Sequence, residues 1–164
     1  MSDPAGFVDY YQQCEDALKS FIADNLSDYF VHDWQLTDDE TDLLRGADVF
    51  ILFRPGSKPE APATFQTSSF TYVDWRVNCN LFVKWIIKKQ QWPTFKRMRA
   101  LVWFVLENNQ WLPNNANVEK VVSIGFPEEP FYWKFKNTSE SADPNMMAQP
   151  MFVVVRQRIT HNNT

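Results

Sequence analysis

The stretch from Val73 to Trp85, VDWRVNCNLFVKW, constrains the fold of this chain more than any other. Every second residue is apolar, and the residues between them are polar except for Phe82. Successive side chains of a β-strand point to opposite faces, so the pattern predicts a strand with one dry and one wet face. At about 3.3 Å per residue the strand would reach about 43 Å, whereas a typical strand has about 5–6 residues. We therefore expect it to bend or to project beyond its own domain.

Two amphipathic helices flank this strand in the sequence. Apolar residues recur at spacings of three and four from Phe7 to Leu26, after Asp3 and Pro4, which suit an N-cap and a first helical position. A second stripe of this kind follows Pro93 and ends at 108–109. These patterns predict one long helix before the long strand in the sequence and one after it.

The remaining segments predict shorter elements. Thr37 with Glu40 forms a capping-box pattern, and Gly46 supplies a stop, which predicts a short helix after an irregular stretch at 29–36. Apolar or alternating runs predict three further strands, and the FYWKF run is a candidate to resume the second of them. These strands are expected at Val49–Arg54, Val118–Phe126 and Met151–Thr160.

This order predicts a single α+β domain over residues 1–164. We expect a two-layer sandwich in which a mainly antiparallel sheet of about four strands is covered by two long helices. Loops near 55–69 and 137–150 are expected to protrude, and the Pro-rich part of the first, 55–66, is a candidate contact arm.

The composition excludes several classes of protein. A chain of 164 residues, 45% of them hydrophobic, suffices for one core. No apolar run of about 18 residues predicts a membrane span, and the N-terminus lacks the pattern of a secretion signal. Cys14 and Cys79 are expected to be buried free thiols, and a disulfide between them is the alternative.

The charges are distributed unevenly. Residues 1–48 hold twelve acids against two bases, a net charge of −10, while residues 76–99 hold seven bases and no acid, +7. The two segments form either two solvated faces or the complementary sides of a head-to-tail assembly. Trp103 lies on the charged side of the second helix, where it packs beneath a loop or contacts a partner. The candidate interface residues are Asp16, Asp24, Arg76, Lys84, Lys88, Lys89, Lys96, Arg99, Trp103, Arg156 and Arg158.

Residue patterns of catalysis are absent from the sequence. It contains no Gly-rich phosphate loop, GxSxG, HExxH or CxxC motif, and neither His32 nor His161 has a catalytic context. Cys79 belongs to the apolar strand face, where a thiolate is disfavoured. We expect no enzyme, no cofactor and no metal site, although a catalytic site assembled only in three dimensions remains a weaker alternative. A second alternative is a small nucleic-acid-binding module that uses the basic and aromatic residues of 84–99.

In this order of elements the chain resembles the lambda-type tail terminator proteins of long-tailed phages and related tail-completion neck proteins. The resemblance lies in the N-terminal amphipathic helix, the apolar strand VFILFR, the long strand SSFTYVDWRVNCNLFVKW, the helix PTFKRMRALVWFVLENN and the closing strand PMFVVVRQRIT. The aromatic FYWKF segment and the 137–150 loop exceed the minimal family pattern.

The resemblance implies a structural virion protein of the tail and neck, assembled in the host cytoplasm. Members of the family form hexameric rings that stop growth of the tail tube and provide the head–tail joining surface. The implied partners are further copies of the chain, the tube protein and the head–tail connector protein, with DNA passing through the lumen without sequence-specific binding and no membrane contact. On this hypothesis the long strand extends a sheet across a subunit boundary through main-chain hydrogen bonds.

Overall fold

The computed structural model describes residues 2–27, 34–39, 49–53, 63–66, 69–84, 91–108, 112, 117–133 and 146–160. Within these ranges lie two helices and seven strands. The helices are α1 (Tyr10–Leu26) and α2 (Gln91–Asn108). The strands are β1 (Trp34–Thr37), β2 (Val49–Phe53), β3 (Ala63–Gln66), β4 (Phe70–Lys84), β5 (Val118–Gly125), β6 (Phe131–Trp133) and β7 (Met146–Thr160).

The sheet is built around two strands of 15 residues each, β4 and β7. They pair antiparallel over their whole length, from Phe70 opposite Thr160 to Lys84 opposite Met146. Five strands follow one another in the order β1-β2-β4-β7-β5, and the short strands β3 and β6 pair with β4 and β7 respectively. The chain is therefore an α+β protein whose centre is one long two-stranded ribbon.

The predicted sheet of about four mainly antiparallel strands is wrong. Five strands lie on the main path, two more flank it, and the sheet is mixed because β1 pairs parallel to β2. The strands that the sequence did not indicate, β1 and β3, have only four residues each. Runs this short contain too few alternations to reveal a strand.

Several predicted boundaries also change. Helix α1 begins at Tyr10, and its cap is Asp9, which accepts a hydrogen bond from the Gln12 amide at 2.9 Å, rather than Asp3. Thr37 ends β1, and its hydroxyl accepts from the Asp39 amide at 3.0 Å, two residues on. This bond closes a local turn at the end of β1. Glu40 and the rest of that predicted helix lie outside the described residues.

Strands also occupy parts of both predicted loops. The expected 55–69 loop contains β3, which pairs with residues 71–74 of β4, and the expected 137–150 loop contains the first five residues of β7. The rest of the contact arm, like most of 137–150, lies outside the described residues. The strand predicted at Val118–Phe126 is β5. Part of FYWKF forms β6, which pairs with β7.

The topology leaves little of β4 for extending a sheet across a subunit boundary. One edge of β4 is paired with β7 from end to end, and the other with β3 at residues 71–74 and with β2 at residues 79–83. Among the described strands, none pairs with this second edge at residues 75–78. A main-chain contact of β4 with another copy is therefore restricted to that short interval.

The main core lies between the sheet and the two helices. It combines the dry face of the ribbon with the apolar stripes of α1 and α2, and both cysteines lie in it, fully buried and not joined by a disulfide. This confirms the alternation from Val73 to Val83, in which the odd-numbered side chains face inward. Phe82, the exception in the pattern, belongs to a second buried cluster on the opposite face with Leu52, Met146 and Ala148.

Candidate subunit interface

The face of the ribbon that points away from the helices is called here the outer face. It carries the even-numbered residues of β4 and β7, which stand opposite one another in register. Between Phe70 and Asn78 all of these β4 side chains are partly exposed, whereas the far end, around Phe82, is buried. The open part of the outer face is therefore one long strip of polar and aromatic side chains.

An ion pair crosses the centre of this strip. Asp74 stands opposite Arg156, whose Nε donates to Oδ1 at 2.8 Å and whose Nη2 donates to Oδ2 at 3.0 Å. The hydrogen bonds to Asp74 outweigh burial and raise the pKa of the Arg156 guanidinium. Such a two-point contact holds both side chains in one orientation, so Arg156 has little freedom to leave its carboxylate for a partner.

Arginines on the outer face also lie over aromatic rings. The Arg76 guanidinium is 4.1 Å from the centroid of the Phe152 ring, and Arg158 is 5.8 Å from that of Phe70. Arg158 also faces Glu119 across 3.9 Å and is 46% exposed. Guanidinium groups held over rings in this way are positioned by cation–π attraction and keep their outer side in contact with solvent.

The helix layer presents an acidic surface on α1. Asp9, Asp16 and Asp24 are exposed on this helix. The one base of α1, Lys19, contacts Glu15 at 3.0 Å and Asp38 at 2.7 Å. Burial lowers the pKa of Lys19, but its bonds to the two carboxylates more than offset this and raise the pKa. The charge of Lys19 is thus compensated locally, and the exposed surface of α1 is negative.

The outward side of α2 is called here the α2 stripe. It is basic at its first end, carries two aromatic rings further on and includes one acid near its last turn. Its exposed members are Lys96, Arg97, Ala100, Trp103, Phe104, Glu107 and Asn108. Trp103 packs against Phe126, with ring centroids 5.7 Å apart, yet remains 41% exposed. Both interpretations of Trp103 from the sequence, packing and accessibility to a partner, therefore hold in part.

Arg99 differs from its basic neighbours on α2. Its Nη1 donates to Oε1 of Gln149 at 3.2 Å, and its guanidinium lies 5.9 Å from the centroid of the Phe126 ring. The side chain links α2 to strand β7, which favours a role inside the fold over one in a contact.

The structure does not bring the predicted basic residues together on one surface. Arg76, Arg156 and Arg158 lie on the outer face, whereas Lys96 and Arg99 belong to α2 on the other side of the sheet. Lys84 ends β4, and Lys88 and Lys89 lie outside the described residues. Of the segment 84–99 that the nucleic-acid-binding alternative uses, the bases Lys96, Arg97 and Arg99 all belong to α2.

A buried polar cluster around Gln157 was missed in the sequence. Its Oε1 accepts from Nε1 of Trp75 at 3.0 Å and from the Cys14 thiol at 3.6 Å, and its Nε2 donates to Oε1 of Gln13 at 2.9 Å. Gln157 is fully buried, and this cluster fastens α1 to both strands of the ribbon. The available signal was a glutamine at an inward position of the predicted last strand, between Val155 and Ile159.

Within the described ranges, no three His, Cys, Asp or Glu side chains are grouped so that they could hold a metal ion. Neither α1 nor α2 is long and apolar enough to cross a membrane.

No protein-family model matches this sequence, and comparison with curated proteins found no match.

Proposed function

We propose that this protein is a structural component of a phage virion that forms a ring at the end of the tail tube. The ring stops growth of the tube and provides the surface on which the head is joined. Its partners are further copies of the chain, the tube protein and the head–tail connector protein, and DNA passes through its lumen without sequence-specific binding. The protein acts by assembly rather than by catalysis, and its place is the tail and neck of the virion.

The observation that carries this proposal is the division of charge between the two helices. The exposed side of α1 and its cap carry the acids Asp9, Asp16 and Asp24 with no exposed base, whereas the α2 stripe carries the bases Lys96 and Arg97 and two exposed aromatic rings, against the single acid Glu107. Two different surfaces that complement each other make a heterologous contact, in which every copy uses one surface for each neighbour. Such a contact produces a closed ring if the rotations from copy to copy add up to one full turn.

Helix α1 supplies the first test of this contact. In the double variant Asp16→Lys/Asp24→Lys, the acidic surface becomes basic and should repel the α2 stripe. The matched control is Glu128→Lys/Glu129→Lys, which changes the net charge by the same amount at two exposed positions outside both helices. We expect the α1 variant to weaken self-association about tenfold at low salt and the control to leave it near the wild-type value.

The readouts are sedimentation velocity of the purified protein and electron microscopy of the protein mixed with tail tubes. The proposal expects closed rings and rings seated on tube ends. A wild-type protein that remains monomeric at every concentration and never associates with tubes would contradict it.

A further inference from the structure

Six large hydrophobic side chains are exposed among the residues that the structure describes. Four of them form two pairs of chain neighbours: Phe7 and Val8, which are 57% and 39% exposed, and Trp103 and Phe104, which are 41% and 52% exposed. The other two, Val122 and Phe131, stand alone on β5 and β6. Adjacent exposed apolar side chains favour a contact more than isolated ones, which are common on protein surfaces.

The first pair is held in a defined conformation just before α1. The Phe7 amide donates to the Pro4 carbonyl at 3.0 Å, and Gly6 between them has a φ of 79°. This fits a type II turn, whose third residue needs positive φ. Asp9 then caps the helix, so Phe7 and Val8 sit between a turn and a cap. Because the segment is already ordered, docking it costs less conformational entropy than docking a flexible tail.

The second pair lies in the second half of the α2 stripe. Phe104 follows the fully buried Val102 by two residues, a rotation of about 200° around a helix, so it points away from the core. Ala100, a small exposed residue, lies one turn before Phe104 and one turn after Lys96. The stripe therefore offers a positive end, a small central residue and an aromatic part that is followed by Glu107.

We propose that the N-terminal segment of one copy, residues 3–9, docks on the α2 stripe of the next copy. Phe7 and Val8 cover Trp103 and Phe104, while Asp3 and Asp9 face the positive end. The occupant is a second copy because this chain itself carries both halves of a match in charge and in apolar surface, and both halves are exposed in the single molecule. This inference rests on the proposed function and names the contact that joins neighbouring subunits.

The test uses cysteines placed at the centre of each half. Val8→Cys and Ala100→Cys are combined in one chain and treated with a short bismaleimide, which leaves Phe7 and Phe104 in place. The native thiols do not compete, because both are fully buried and burial raises the pKa of Cys14 to about 12. The matched control combines Val8→Cys with Phe131→Cys, which is exposed on β6.

We expect a ladder of covalent oligomers from the variant with Val8→Cys and Ala100→Cys, and little product from the control. Adding Phe104→Ser should weaken self-association about tenfold or more and remove the ladder, because it takes away a central aromatic contact. A yield no higher than that of the control overturns the inference. Crosslinking of Ala100→Cys to the tube protein, in place of a second copy, overturns it as well.

The outcomes also separate this inference from the proposed function. Rings that form on tubes without the ladder, and persist with Phe104→Ser, leave the function standing and remove this contact. A ladder from a protein that forms open chains and never binds tubes supports the contact and removes the proposed function. A wild-type protein that is monomeric throughout overturns both.

Discussion

The two faces of the β4–β7 ribbon show how differently one pair of strands can be stabilised. The face toward the helices is packed with apolar side chains, and Gln157, at the centre of its polar cluster, is fully buried. The open part of the outer face instead holds Asp74 and three arginines in ion pairs and over aromatic rings. Burial supplies stability on the first face, whereas the second mainly fixes the positions of charged groups. Substitutions should therefore cost much more on the face toward the helices.

The largest contrast is expected from placing an aspartate on each face in turn. Val77 is fully buried at the centre of β4, so Val77→Asp should lower the free energy of unfolding by more than about 4 kcal/mol, because an unpaired carboxylate is buried. Its neighbour Asn78 points to the outer face, where its Oδ1 accepts from Arg76 at 3.3 Å. Asn78→Asp should change stability by less than about 0.5 kcal/mol. Urea denaturation measures both, and similar losses would contradict the contrast.

The second-largest loss of stability is expected from substitutions in the Gln157 cluster. Gln157→Ala removes the hydrogen-bond partner of the buried Cys14 thiol and of the less buried Trp75 and Gln13, and should cost about 2–3 kcal/mol in the free energy of unfolding. Trp75→Phe removes the indole N–H that donates to Gln157, together with part of the ring that packs on Tyr11. A double-mutant cycle between the two positions should give a coupling of about 1 kcal/mol. Additive effects would show that the hydrogen bond carries little of the cost.

The Cys14 thiol adds a pH dependence to the same cluster. Burial raises its pKa from 9.0 to about 12, so the folded chain keeps a proton that the unfolded chain loses. This stability is fully present below pH 9 and falls as the pH rises toward 12, by at most about 1.4 kcal/mol per pH unit. The difference in stability between wild type and Cys14→Ala should therefore shrink between pH 9 and 10.5. A constant difference across this range would show that Cys14 titrates alike in both states.

How far the sequence predicts these faces depends on how local each signal is. Alternation along 73–83 and the stripes of α1 and α2 identified most inward residues, because periodicity is a property of neighbouring residues, although Phe7 at the start of the first stripe is exposed. The partner of each strand is not local: Asp74 meets Arg156 across 82 positions of the chain. The short strands β1 and β3 form because β2 and β4 lie beside them, and their own sequences are too short to indicate this. The Gln157 cluster was missed for the same reason, since its members come from three separate elements, α1, β4 and β7.

The ion pair on the outer face should matter less than the Gln157 cluster. Asp74→Asn keeps the shape of the side chain but leaves Arg156 without its carboxylate, and it should cost about 1–2 kcal/mol of unfolding free energy. The control is Glu119→Gln, whose longer contact to the half-exposed Arg158 should be worth less than about 0.5 kcal/mol. High salt should remove the effect of Glu119→Gln and leave most of the effect of Asp74→Asn. Equal effects would mean that the two-point geometry confers no advantage.

The smallest expected effect is that of Arg76→Met, which tests whether an aromatic ring positions an arginine on the outer face. The ring of Phe152 covers Gly125, where a Cβ atom would clash with it, and the guanidinium of Arg76 lies over that ring. Arg76→Met keeps the aliphatic stem and should lower the free energy of unfolding by about 0.5–1 kcal/mol, the cation–π contribution at a partly exposed site. Gly125→Ala should push the ring aside, so Arg76→Met should cost almost nothing in that background. If the cost of Arg76→Met is unchanged there, Arg76 is stabilised by its other contacts, and the ring is not what positions this arginine on the outer face.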